Sequence, residues 1–173
     1  MIFYAIQVRT RSEEKFIKLF TARFPDVPFR IHFPKRRLFI RRGGKLKPSS
    51  LAIFPGYIFI EAAGSEEVFS RQWDFRRTEW FYRFLKSNRE ITPLANKDLE
   101  TVAHFIHKAG PVAGISRVYF NENDRITVLE GPLMGLEGKI VKVDKRKCRA
   151  KIKLDLYEDS FTLDLAFEVI KSS

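Results

Sequence analysis

Over the first nine residues two sets of side chains alternate: Ile2, Tyr4, Ile6 and Val8 fall on one side of an extended chain, Phe3, Ala5, Gln7 and Arg9 on the other. A period of two predicts a strand. The period then changes to that of a helix, with Phe16, Phe20 and Phe24 recurring every four residues and Ile17 beside them. Ser12 stands at the N-cap position, Glu13 and Glu14 suit the positive end of the helix dipole, and Pro25 ends the run. Strand patterns return at about 29–33, 37–41 and 51–60, the last two joined through the turn Arg42-Gly43-Gly44-Lys45. A second helix is expected from Ser65, carrying Val68, Phe69 and Trp73, followed by a buried strand from Trp80 to Leu85. Asn96 caps a third helix whose apolar stripe is Leu99, Val102, Ala103 and Ile106. Helices laid on one side of a mainly antiparallel sheet make an α+β sandwich.

Gly110-Pro111, Ala113 and Gly114 interrupt every periodicity. They predict a first domain over 1–107, a linker over 108–118 and a second domain over 119–173. Beyond the break only short strands are expected: Ile126 to Leu129, Lys139 to Val143, Cys148 to Leu154 and Phe161 to Leu165. Strands this short are stable only if the sheet closes on itself, so the economical solution is a small SH3-like β-barrel.

Composition adds a direction to this picture. The 173 residues are 45% hydrophobic, the usual globular fraction, and 32 Lys and Arg against 21 Asp and Glu leave a net charge of +11. Such a field favours polyanions, whether RNA, DNA or an acidic protein face. Residues 1–110 hold 21 basic and 11 acidic side chains, net +10, and 111–173 hold 11 and 10, net +1, so the first domain is expected to carry the field. The longest apolar run, Leu51 to Ile60, is broken by Pro55-Gly56 and is far short of the roughly 20 residues that cross a bilayer. The apolar start, Met1 to Val8, has no basic leader or small-residue cleavage site and is followed at once by Arg9 and Arg11. A single Cys148 makes neither an internal disulfide nor a thiolate metal cage, which fits a cytoplasmic protein.

Three constellations carry candidate chemistry. Arg30, Lys35, Arg36, Arg37, Arg41, Arg42, Lys45 and Lys47 occur without an acid between them, and either contact phosphates along a backbone or form a solvated positive loop. Cys148, Ala150, Ile152 and Leu154 alternate with Arg149, Lys151 and Lys153, giving one buried face and one basic stripe. With Lys142, Lys145, Arg146 and Lys147 this is a candidate RNA-binding surface, polarised by acids at Asp155, Glu158, Asp159 and Asp164; plain solubility is the alternative. Glu100, His104 and His107 share a helix face that could meet a divalent metal, but no fourth ligand accompanies them and the wet side of a helix is the preferred reading. Neither paired carboxylates, a Ser/His/Asp set nor a phosphate-binding glycine loop is visible. No metal, cofactor or catalytic residue is therefore assigned, and the chain is not expected to be an enzyme.

Two segments resemble a known pattern. Phe54-Pro55-Gly56-Tyr57-Ile58-Phe59-Ile60, preceded by Phe33-Pro34 and the basic hairpin, resembles the signature of the amino-terminal domain of the NusG family of transcription elongation factors. Residues 124–144, running Asp124-Arg125-Ile126-Thr127-Val128-Leu129-Glu130-Gly131-Pro132 and on through Gly135, Gly138 and Lys139 to Asp144, resemble that family's KOW motif. The resemblance implies that the first domain docks on the clamp of RNA polymerase, spans the DNA cleft and discourages pausing or termination. It makes Phe54, Tyr57 and Phe59 the polymerase-binding residues and Arg9, Lys15, Arg76 and Arg77 the DNA-facing ones. Within the KOW domain it implies partner binding through Tyr157, to a termination factor or the ribosome. Trp80 stands where the family usually has a small Gly, and Leu156-Tyr157-Glu158-Asp159-Ser160 replaces the family's hydrophobic, glycine and basic loop. These departures, together with the basic balance, favour a specialised antitermination paralogue over the runner-up, a general elongation factor; a monomer without a membrane partner is expected. The alternative is a ribosome-associated RNA-binding KOW protein, which leaves residues 54–60 unexplained.

Overall fold

In chain order the first elements are β1 (Ile2–Val8), α1 (Glu13–Arg23), β2 (Arg30–His32), β3 (Lys35–Arg42), β4 (Lys45–Ala52), β5 (Tyr57–Ala62), α2 (Ser65–Phe69), α3 (Gln72–Arg76), β6 (Phe81–Phe84) and α4 (Asn96–Ala103). A π-helical turn (His104–Lys108) continues α4, and β7 (Val112–Ala113), β8 (Ser116–Phe120), β9 (Ile126–Glu130), β10 (Ile140–Asp144), β11 (Arg149–Leu156) and β12 (Asp159–Val169) follow. The computed structural model describes residues 1–157 and 159–170; Glu158, counted above among the acids, lies outside them. The chain divides into two units, one made of Met1–Phe33 with Phe54–Leu99, the other of Pro34–Ile53 with Glu100–Ser173.

The first unit is an α+β sandwich, as the periodicities require. Its sheet has the order β2-β5-β1-β6 with every pairing antiparallel. Tyr4, Ile6 and Val8 of β1 and Ile58, Ile60 and Ala62 of β5 face Phe16 and Phe20 of α1, Val68 of α2 and Phe75 of α3 in one core. Phe75 is its hub: it stacks on Phe20 at 4.4 Å between ring centroids and on Phe29 at 5.5 Å, and meets Phe84 edge-on at 5.5 Å. Ser12 occupies the N-cap of α1 but its side chain makes no capping hydrogen bond. Trp80 packs against the core with φ +69°, a left-handed conformation that glycine adopts without penalty and that a bulky side chain strains.

The second unit is built on the five-stranded sheet β10-β11-β12-β8-β9, a half-barrel consistent with a KOW domain. Leu133 and Leu136, from the loop after β9, are buried with Ala150, Ile152, Leu154, Leu163 and Leu165. That loop depends on Gly131, whose φ is +100°; a Cβ there would stand 2.6 Å from the Cα of Ser116. Ser116, fully buried on β8, accepts the Leu133 N–H at 3.0 Å through its Oγ. The segment 108–118, expected as the linker, contains β7 and the start of β8, and β8 closes the sheet by pairing in parallel with β12.

The basic hairpin β3–β4 also belongs to this second unit, where β7 joins it in a separate three-stranded sheet. Its seven cations move the balance of charge. The first unit holds 13 basic and 10 acidic side chains, net +3, and the second 19 and 11, net +8. In this grouping the second unit therefore carries the larger share of the positive charge, because the hairpin is counted with it.

Candidate functional site

Because β1 and β5 turn alternate residues towards the helices, the remaining residues fall on the second face of the sheet. These are Phe3, Ala5 and Gln7 on β1 and Tyr57, Phe59 and Glu61 on β5, with His32 of β2 paired to Phe59 and Arg83 of β6 paired to Gln7. Phe3, Ala5, Phe59 and Glu61 are all buried. The His32 Nε2–H donates to Glu61 Oε2 at 2.7 Å, and Arg83 Nε donates to Gln7 Oε1 at 2.9 Å. The face is thus an apolar centre with two polar pairs.

Of the three aromatics assigned to polymerase binding, Tyr57 is half-buried, whereas Phe54 and Phe59 are 1% and 0% exposed and meet edge-on at 5.1 Å. Of the three rings, Tyr57 is the one that is not fully buried. The segment before them is a tight turn in which the Tyr57 N–H bonds to the Phe54 carbonyl, Pro55 supplies its fixed φ, and Gly56 takes φ +84°. A Cβ on Gly56 would meet Thr10 Oγ1 at 3.0 Å. The Gly56 N–H donates to the buried carboxylate of Glu13 at 2.7 Å, so Glu13, read in the sequence as a helix-dipole partner, fastens α1 to the turn that orients Tyr57. Glu13→Ala is expected to cost about 2 kcal/mol, the scale of a hydrogen bond to a charged group, and Glu13→Gln less, since an acceptor oxygen remains; thermal unfolding of the two variants checks the order.

The four residues assigned to DNA divide in two. Arg9, Lys15 and Arg77 are exposed. Arg76 is committed inside its unit: Nη2 donates to the Asn88 carbonyl at 2.5 Å, and the guanidinium lies 5.0 Å from the centroid of the Trp73 ring.

In the half-barrel the alternation along β11 holds, with Ala150, Ile152 and Leu154 inward and Arg149, Lys151 and Lys153 outward. Lys142, Lys147, Arg149 and Lys151 gather with Asp144 and Asp164 around one cleft. Lys145 instead pairs with Asp124 and lies 4.2 Å from the Phe120 ring centroid, while Arg146 and Lys153 are exposed. Asp144 accepts the Lys147 N–H at 2.9 Å, and that bond, with the charges of Lys147, Arg146 and Lys142, holds its carboxyl below the usual aspartate range. A depressed value stabilises the fold above the unfolded-state pKa, and the contribution is lost as pH falls through the folded-state one. Arg149 donates from Nη2 to the Phe39 carbonyl of β3, tying hairpin to half-barrel. Between them Arg36 is held below the ordinary arginine range by burial, with Asp164 acting in the opposite sense. Tyr157, half-buried with φ +51°, sits in the β11–β12 turn.

Among the described residues no group of three or more His, Cys, Asp or Glu side chains could hold a metal ion. Within the helical trio of Glu100, His104 and His107, His104 Nε2 donates to the Pro132 carbonyl at 2.9 Å and so braces the loop of Leu133. Sequence reasoning missed Glu13, Ser116, His32 and Asp164 as site-forming residues. Their partners lie 17 to 43 residues away for the first three, beyond any local pattern. No helix among the described residues is long and apolar enough to cross a membrane.

The family described as "Transcription termination factor nusG" matches residues 1–103, and the KOW motif matches residues 122–153. The chain is 26% identical to the transcription termination/antitermination protein NusG of Thermus thermophilus, covering 98% of each chain. It is 21% identical to the protein of the same name from Helicobacter pylori, covering 99% of this chain and 98% of that one. A solved structure titled "Domain interaction in Thermotoga maritima NusG" aligns over 95% of this chain and 93% of that one at 16% identity and a TM-score of 0.46. The class so defined is that of transcription termination and antitermination factors, which are not enzymes. Within it, the chain belongs to the NusG family.

Proposed function

We propose that this chain is a transcription elongation and antitermination factor of the cytoplasm that binds RNA polymerase through the second face of its four-stranded sheet and suppresses pausing or termination. The observation that carries this reading is Tyr57, half-buried on that face and oriented by the tight turn through Gly56. A sheet covered by helices on one side commonly presents polar residues on the other; here Phe3, Ala5 and Phe59 stand there instead, with Tyr57 half-buried. Phe3, Ala5 and Phe59 are already buried within the chain, so the aromatic side chain that this face offers to a partner is the half-buried Tyr57. Polymerase contact would be made by Tyr57, as aromatic anchors make it at interface centres, with Phe54 and Phe59 packed edge-on in the core of the same segment, Arg9, Lys15 and Arg77 facing DNA and Arg76 positioning α3. In the second unit the KOW half-barrel would contact RNA or a protein partner.

No bond is made or broken in this mechanism. A factor that binds the elongating conformation of the polymerase more tightly than the paused one shifts the population towards elongation by the difference in its two binding free energies. The test is single-round transcription by purified polymerase on a template with a defined pause and terminator. The expected result is a shorter pause and more read-through, lost in Tyr57→Ala; unchanged pause lifetimes at saturating protein would remove the proposal.

A further inference from the structure

The outer surface of β10, β11 and β12 holds an arrangement that folding alone does not favour. Register places Lys142 of β10 directly opposite Lys151 of β11, and Lys151 opposite Asp164 of β12. Like charges at paired cross-strand positions are destabilising. The pairing exists because β10 carries a register shift between Ile140 and Lys142: Ile140 pairs with Ile152, but Lys142 with Lys151. Continued without the shift, the register would set Lys142 opposite Ala150, on the buried side of β11. The bulge re-aims one lysine to stand beside another, the kind of local device that functional surfaces use.

Lys142, Lys147, Arg149 and Lys151, with Asp144 and Asp164, line an open cleft of about 140 Å³. Four cations face two carboxylates, and the existing pairs are loose. Arg149 and Lys151 stand 3.9 and 4.0 Å from Asp164, and Lys147 Nζ stands 3.9 Å from Asp144, all longer than the roughly 2.7–2.9 Å of a charge-assisted hydrogen bond. Lys142 has no ion pair with a described residue. Arg149 is held from the side by the Phe39 carbonyl, so its position is fixed before any ligand arrives. The cleft is therefore a set of converging, unsaturated donors with an excess of two positive charges, in a unit of net charge +8.

We infer that this cleft binds a backbone phosphate of a single-stranded polynucleotide. A phosphodiester presents two charged non-bridging oxygens that three ammonium groups and a guanidinium can share, and a polynucleotide repeats that charge at every residue, so it suits a cleft with cations in excess on a strongly basic unit. The inference rests on reading the KOW half-barrel as a partner-contacting unit and narrows its seven candidate cations to four. Lys145, Arg146 and Lys153 contribute field only.

The test compares two double variants of equal charge change in the full chain, Lys142→Gln with Lys151→Gln against Lys139→Gln with Lys153→Gln. Binding of a fluorescent single-stranded RNA and a DNA of the same sequence is measured by anisotropy across a salt series. The cleft pair is expected to weaken binding about tenfold at low salt and to lower the salt slope by roughly 0.7 for each phosphate no longer neutralised, while the control pair changes affinity less than about threefold. The cleft pair removes a repulsive neighbour along with the loose pairing of Lys151 to Asp164, so it should melt within a few degrees of the wild type, which separates weakened binding from a damaged fold. RNA and DNA are expected to bind alike. Equal weakening in both double variants, a large preference for RNA, or displacement of the oligonucleotides by polyglutamate at equal charge concentration would each overturn the assignment. Binding of the cleft variant to elongation complexes is followed in parallel, so that failure here is distinguishable from failure of polymerase docking.

Discussion

Phe75→Ala is expected to destabilise the amino-terminal sandwich by about 3–5 kcal/mol, the cost of truncating a buried aromatic. Phe75 is fully buried on α3 and packs against the rings of Phe20, Phe29 and Phe84. The first two are stacked and the third is edge-on, arrangements that add to plain burial. A domain of ordinary stability has about 5–15 kcal/mol in all, so the variant should be marginally folded at physiological temperature. Urea unfolding followed by far-ultraviolet circular dichroism measures the loss. Tyr82→Ala, at a side chain 56% exposed on the same sheet, should cost under about 1 kcal/mol. Equal losses at the two positions would show that the aromatic hub is not the centre of the core.

Gly131→Ala should be nearly as severe in the half-barrel. The added methyl would stand 2.6 Å from the Ser116 Cα and 3.1 Å from the Ile115 carbonyl oxygen, at a φ of +100°. Backbone atoms of a paired strand cannot swing aside as the end of a flexible side chain does. Overpacking of this kind costs about 1–3 kcal/mol, and an L residue at such a φ adds about 1–3 kcal/mol more. The expected result is disappearance of the dispersed amide resonances of β8 and β12 from a heteronuclear NMR spectrum, with those of the amino-terminal sandwich retained. Gly138→Ala, with nothing within 4 Å of the added Cβ, should leave the spectrum intact.

What the sequence makes legible is periodicity. The alternation of β1, the four-residue recurrence of Phe16 and Phe20, the Gly43-Gly44 hairpin and the in-out pattern of β11 all stand where local pattern places them. The elements that escape it depend on distant partners. β8 alternates as a strand should, but Gly110, Pro111 and Gly114 just before it read as a linker, and its parallel partner β12 lies about fifty residues on. The apolar pattern sets the stripe of α4 at Leu99, Val102, Ala103 and Ile106, whereas Thr101, Val102 and Phe105 are the buried positions; a π-helical turn begins after Ala103 and there Phe105 is buried in place of Ile106, while Thr101 is buried ahead of it. For the site, alternation puts Tyr57 and Phe59 on one face of β5 but does not say how deeply each is buried. The facing of Lys142 and Lys151 depends on a one-residue bulge, and the commitment of Arg76 on the Asn88 carbonyl; neither leaves a trace in composition or spacing.

Equilibrium binding of the full chain to assembled RNA polymerase elongation complexes, with Tyr57→Ala beside the wild type, tests the sheet face most directly. Docking through that face requires saturable binding of the wild type and a loss of about thirtyfold in the variant, the ~2 kcal/mol of an interface anchor, while its unfolding temperature stays within a few degrees of the wild type. A wild-type chain that ignores elongation complexes, or a folded Tyr57→Ala chain that binds them as tightly as the wild type, would contradict it.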